Sequence, residues 1–165
     1  MPVLHRILAP MALAAVLSLL SAQASADPAA AVVAFNQALS ARDQDSAMEK
    51  LAPGGVQFTL RSMHDGVSPD KLVTPITPHW SMIVPVIFAS TSSYTRDVKV
   101  LDSEAHGDIA TVWTQTRTAS VRAGSDKATE SEFSEVYVLV NTPAGWKIAA
   151  IADNRQATRI NNSEQ

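Results

Sequence analysis

The 165-residue chain has no cysteine, and this absence excludes a disulfide, a zinc-thiolate centre, a cysteine nucleophile and a lipid anchor on an N-terminal cysteine. It also has no cluster of Lys and Arg. With 13 basic against 16 acidic side chains, a formal charge of -3, nothing in it is suited to neutralising a phosphate backbone, so nucleic acid is not expected as a partner. Nor is there a Gly-x-Ser-x-Gly turn or a glycine-rich phosphate loop. Histidine occurs without H-x-H, H-x-x-x-H or H-E-x-x-H spacing, so no metal site is assigned. What the sequence does have is apolar surface. Hydrophobic residues make up 46% and charged residues 18%, enough for a packed core and too little charge for disorder of the whole chain.

Residues Met1 to Ala26 read as a secretory signal peptide. His5 and Arg6 give a polar start, Ile7 to Leu20 an apolar run, and Ala24-Ser25-Ala26 a small-residue cleavage site before Asp27. The run is about fourteen residues and contains Pro10, short of the roughly twenty needed to cross a bilayer, and no later segment is a candidate span. Cleavage after Ala26 and a periplasmic or secreted location are therefore expected, with no membrane association afterwards. Residues 27–154 are expected to form one domain, followed by a polar, flexible tail over 155–165.

Asp27-Pro28 pairs an N-cap residue with a proline at the first helical position, and Val32, Phe35, Ala38 and Leu39 fall on one helical face. A second short helix is expected from Asp43 or Asp45 to Leu51, stopped by a turn at Pro53-Gly54-Gly55. Val56 to Arg61 then alternates as a strand. The proline-rich stretch from His64 to Ser93 reads as a short helix near Ser68 to Val73, a turn, and an apolar helix near His79 to Phe88. Four strands follow, at Tyr94 to Leu101, Ile109 to Ser120, Glu132 to Asn141 and Trp146 to Asp153. His106-Gly107-Asp108 and Asn141 to Gly145 look like hairpin turns, and Ala123 to Asp126 like a longer connection. Helices first and a meander afterwards give an α+β domain with an antiparallel sheet covered on one face.

On the strand from Ile109, period two places Trp113, Gln115 and Arg117 on one face and Ala110, Val112, Thr114 and Thr116 on the other. On the next strand Phe133, Glu135, Tyr137 and Leu139 share a face. Glu135 beside Tyr137 is either a buried acid or base, or one half of an ion pair with Arg117 across the hairpin; the pairing is the reading favoured here. His64 and His79 border the proline-rich stretch, where a histidine could act as a base near neutral pH, although a structural role is the commoner one. His106 is an ordinary turn residue. Trp80 belongs to a lid or a buried plug, Trp113 is unassigned between core and ligand platform, and Asp153 and Asn154 end the last strand at a rim or as a cap.

Val32 to Leu39 with Arg42-Asp43, then Gly107-Asp108-Ile109-Ala110-Thr111-Val112, then Gly145-Trp146-Lys147-Ile148, resembles the nuclear transport factor 2-like superfamily, in particular its SnoaL-like bacterial members. The resemblance implies N-terminal helices packed in a strongly curved antiparallel sheet, a cone or cystatin-like roll with a cavity at its wide end. It also implies a small apolar ligand and often a homodimer through the outer sheet face, for which Thr114, Thr116, Val136 and Val138 would supply an apolar patch. No cofactor is implied. Relatives include isomerases, dehydratases and many domains without known catalysis, so the fold leaves function open. Ligand-pocket candidates are His64, His79, Trp80, Trp113, Glu135, Tyr137 and Asn154, and no residue falls in a catalytic motif of those enzymes. Two readings follow. The favoured one is an exported small-molecule-binding or protein-interaction domain; the other is an isomerase, dehydratase or hydrolase acting by proton transfer in the cavity.

Overall fold

The computed structural model describes residues 27–60 and 73–155. Helix α1 (Pro28–Ser40) starts where Asp27 accepts the Ala29 N–H at 2.9 Å, with Pro28 in the first turn where its missing N–H costs nothing. Val32, Phe35, Asn36 and Leu39 form its buried face. Helix α2 (Gln44–Glu49) is capped by Asp43, which accepts the Ser46 N–H at 3.0 Å. Between them Arg42 has φ of 60°, a left-handed conformation that costs a non-glycine residue. Its guanidinium offsets this by donating to the Phe88 carbonyl at 2.9 Å and the Thr91 carbonyl at 2.6 Å.

The strands β1 (Leu51–Thr59), β2 (Val73–Pro75), β3 (Thr91–His106), β4 (Ile109–Arg122), β5 (Ala128–Thr142) and β6 (Gly145–Asp153) form one curved sheet in the order β2-β1-β6-β5-β4-β3. Helix α3 (Ile76–Ser90) precedes β3. The architecture is the α+β cystatin-like roll expected, with one departure: β1 runs parallel to β6, so the sheet is mixed. A hairpin cannot join parallel strands, and here the whole β2-to-β5 segment intervenes.

Two local expectations are corrected. Pro53-Gly54-Gly55 does not turn the chain but bulges inside β1, where Leu51 pairs with Ile148 and Val56 already pairs with Ala150. Gly55 is required by that close approach, since a Cβ on it would lie 2.6 Å from the Ala149 carbonyl oxygen and 2.8 Å from Ile76 Cγ2. The helix expected near 68–73 ends in a residue, Val73, that belongs to β2, and its earlier part lies outside the described residues. The apolar helix expected near His79 to Phe88 is present and longer, spanning Ile76–Ser90 through both Pro78 and Pro85. Pro78 sits in the first turn, where no donor is needed. Pro85 and Ser81, whose carbonyl loses its helical donor to the ring, both lie on the exposed side, where solvent can satisfy that oxygen. Ile76, Trp80 and Val84, four apart, make the buried face.

α1 and α3 lie against one face of the sheet and enclose the core with it. Val32, Phe35, Leu39, Ile76, Trp80 and Val84 from the helices meet Val112, Leu139, Ile148 and Ile151 from the strands. Phe35 and Trp80 meet edge to face at 5.3 Å, which joins the two helices over the sheet. Ser40 fastens α1 to β3 by donating to the Arg96 carbonyl at 3.2 Å and accepting the Arg96 N–H at 2.8 Å.

Candidate functional site

The same inner face that holds this core also holds a set of buried polar side chains. Period two along β3 puts Arg96 in phase with Tyr94, Val98 and Val100, which pack on the core, so the guanidinium is delivered inward. β5 delivers Phe133, Glu135, Tyr137 and Leu139 to the same side, and β4 delivers Thr114 and Thr116. From α1 comes Asn36, one helical turn beyond Val32. A buried charge needs an opposite charge and full hydrogen bonding, and each member supplies part of that.

Arg96 Nη2 donates to Glu135 Oε1, and Arg96 Nε donates to Asn36 Oδ1. Glu135 Oε2 accepts from Thr116 Oγ1 at 2.6 Å and from the Tyr137 hydroxyl at 2.8 Å. Asn36 Nδ2 donates to the Tyr137 oxygen at 3.2 Å and to the Val32 carbonyl at 2.8 Å. Burial, reinforced by the Glu135 charge, holds the Tyr137 phenol well above its usual range, so it stays a donor at neutral pH. Burial is the largest single influence and would lower the Arg96 guanidinium, but Glu135, Tyr137 and Tyr94 together outweigh it and hold Arg96 charged.

A second group adjoins the first. Asp153, 3% exposed at the end of β6, accepts from Gln57 Nε2 at 3.1 Å and from the Arg155 N–H at 3.1 Å. The Arg155 guanidinium lies 4.0 Å from the centroid of Phe133, against whose ring Arg96 also rests at 5.4 Å. Burial, with the neighbouring Arg96 charge, pulls Arg155 below the usual arginine range. His79, in the first turn of α3, packs edge to face against Trp80 at 6.1 Å. Its pKa lies below the ordinary histidine value because of burial and the Arg155 charge, with Asp153 opposing them. The ring is therefore held neutral at neutral pH.

Of the residues singled out in the sequence, the structure brings Trp80, Glu135 and Tyr137 together and sets His79 beside them. His64 lies outside the described residues. Trp113 is 50% exposed on the opposite face of β4, and Asn154 is exposed, its Oδ1 accepting the Ser134 N–H at 2.8 Å as a strand-end cap. The expected Glu135–Arg117 pair does not form. Register pairs Thr114 with Glu135 and Arg117 with Glu132, so Arg117 points outward and bonds Glu130 at 2.6 Å. By the same parity Thr114 and Thr116 face inward while Trp113 and Ile109, opposite Val136 and Val140, face outward, so the four-residue apolar patch expected on one face is split between two.

Asn36, Gln57, Arg96, Thr116 and Arg155 were not anticipated. For Arg96 and Asn36 the signal was present: each is a polar residue in phase with an apolar stripe, which is where a buried polar group would stand. Chemically the two carboxylates are well supplied with donors, while Gln57 Oε1 is buried without one among the described residues. Each oxygen of Glu135 and Asp153 already receives a hydrogen bond. Among the described residues no three His, Asp or Glu side chains converge to hold a metal ion.

No protein-family model matches the sequence, and no curated protein matches it. Solved structures do resemble it. A ketosteroid isomerase-like protein from Erwinia carotovora atroseptica superposes with a TM-score of 0.60 over 80% of this chain and 95% of its own, at 15% identity. A candidate scytalone dehydratase from Novosphingobium aromaticivorans gives 0.64 over 82% and 92%, at 8% identity. A nuclear transport factor 2-like protein with a cystatin-like fold, from the same organism, gives 0.57 over 75% and 76%, at 12% identity. At such identities the likeness is one of fold, and the fold of this chain is that of the nuclear transport factor 2-like superfamily.

Proposed function

We propose that the protein is an exported domain that binds a small, largely apolar molecule against the inner face of its sheet, without catalysing a reaction on it. The observation that carries this reading is the state of Glu135. Its carboxylate is bonded on one oxygen to Arg96 and on the other to Thr116 and Tyr137, so both oxygens are engaged within the fold in a structural role. Around it the wall is aromatic and apolar, from Phe35, Trp80 and Phe133. Export rests on the composition of Met1 to Ala26. Native mass spectrometry of protein recovered from its exporting host tests both parts. A chain beginning at Asp27 with a small molecule retained is the expected result, and an intact Met1 in cytosol would remove the export half.

The proton-transfer reading has one observation in its favour, namely Asp153, which is buried and lies within electrostatic range of neutral His79. Names such as ketosteroid isomerase-like and scytalone dehydratase among proteins of this fold agree with it. Turnover of a ligand so recovered, abolished by Asp153→Asn, would establish that reading over the first. The outer face offers a place for a second copy of this chain, since Ile109 and Trp113 are 55% and 50% exposed on it. Sedimentation of the purified protein, and of Trp113→Glu, reads that directly: a dimer that the variant dissolves is expected.

A further inference from the structure

The two sides of the buried polar cluster are unequally satisfied. The oxygens of Glu135 and Asp153 are engaged, as described, while Gln57 Oε1 and several donors are not. Arg96 Nη1, Arg155 Nε, Arg155 Nη2 and Trp80 Nε1 are shielded from solvent and have no hydrogen-bond partner among the described residues. Arg96 and Trp80 are 2% and 3% exposed, so these are donors that folding has taken from water. Leaving such a group unpaired is costly, the more so for a charged one, so a cluster of them marks a place completed by something else.

Which donors are free is informative. Nε and Nη2 lie along one edge of a guanidinium and point in parallel, the fork that receives both oxygens of a carboxylate. On Arg155 those two are the unpaired atoms, and the residue is anchored by its N–H to Asp153 and by the ring contact with Phe133. Arg96 rests on the same Phe133 ring and lies 5.7 Å from the Trp80 ring, so the remaining donors border the same aromatic wall. The charges are two guanidiniums against Glu135 and Asp153, already balanced. A monoanion adds one charge to four free donors; a dianionic phosphate would add two beside the existing carboxylates and is disfavoured.

Resting on the binding reading above, we infer that the ligand is a small carboxylic acid with an apolar body, its carboxylate received by the Arg155 fork and the neighbouring Arg96 and Trp80 N–H groups. Tryptophan fluorescence titration of the full chain with naphthoate, its neutral amide and inorganic phosphate tests this without any variant. The acid is expected to bind at least about tenfold more tightly than the amide, with phosphate not competing. Arg155→Gln should then lose about tenfold for the acid and leave the amide unchanged, while Arg155→Lys, which keeps charge but not the fork, should fall between. Equal binding of acid and amide overturns the carboxylate assignment and leaves the binding reading standing. Competition by phosphate overturns it in favour of a general anion site. Failure of both naphthyl probes, together with ligand-free protein from the host, removes the binding reading and this inference together.

Discussion

β5 supplies the glutamate of two Arg–Glu pairs, and the two behave as opposites. Glu135 meets Arg96 with both side chains fully out of solvent, whereas Glu130 meets Arg117 with 53% and 60% of their side-chain surface exposed. The outer pair needs nothing beyond itself, because water solvates whatever the contact leaves open. The inner pair has been taken from water and is surrounded by Thr116, Tyr137 and Asn36, each satisfying an atom the ion pair alone would strand. The same two residue types thus give a surface ornament on one face and a structural keystone on the other, and it is the solvent, more than the ion pair itself, that separates them.

Breaking the inner pair should have the largest effect. Glu135→Ala leaves Arg96 charged and buried, and should cost about 3–5 kcal/mol in urea denaturation. The double variant Arg96→Met with Glu135→Leu should recover much of that loss; a double variant as unstable as the single would show that the charges were not coupled. Tyr137→Phe, which removes one donor to Glu135 and one acceptor from Asn36, should cost about 1–3 kcal/mol by the same measurement.

A smaller effect belongs to His79 and appears only with pH. Its folded pKa lies below the ordinary 6.5, so the unfolded chain takes up the proton first. The histidine contributes nothing above that value and subtracts stability as pH falls below it, until the folded ring also protonates. Asp153 works against the shift and Arg155 with it, so His79→Asn should flatten the melting temperature between neutral and mildly acidic pH. An unchanged slope would place the ring in full contact with water. Arg117→Ala should be the smallest of all, a denaturation midpoint indistinguishable from that of the parent.

Local rules made the helix starts and most strands legible. Asp27-Pro28 capped α1, and period two grouped Glu135 with Tyr137 on one face of β5, though the favoured pairing with Arg117 set Glu135 on the sheet surface where the structure buries it. What escaped was set by register and by distant partners. Choosing Arg117 for Glu135 required knowing how the connection after β4 aligns the two strands, and the turn residues do not specify that alignment. Arg96 as the true partner also depends on which strand lies outside β4. The parallel β1–β6 ladder has no local signal, and α3 was expected only from near His79 to Phe88 because Pro75 and Pro78 read as breaks, although a proline in the first helical turn removes no needed donor.

That parallel ladder also orders events in time. β3 to β6 join neighbour to neighbour through short connections and can zip from their turns, but β1 needs a partner far along the chain, as the Gln57–Asp153 bond across 96 residues illustrates. Closing so long a loop must precede any reward for it, so the topology favours a meander that forms before β1 docks. Asp153, to which Arg155 is anchored, gains its bond from Gln57 only with that strand, whereas Arg96, Glu135, Thr116 and Asn36 meet without β1, so the Gln57–Asp153 bond alone reports that β1 has been placed.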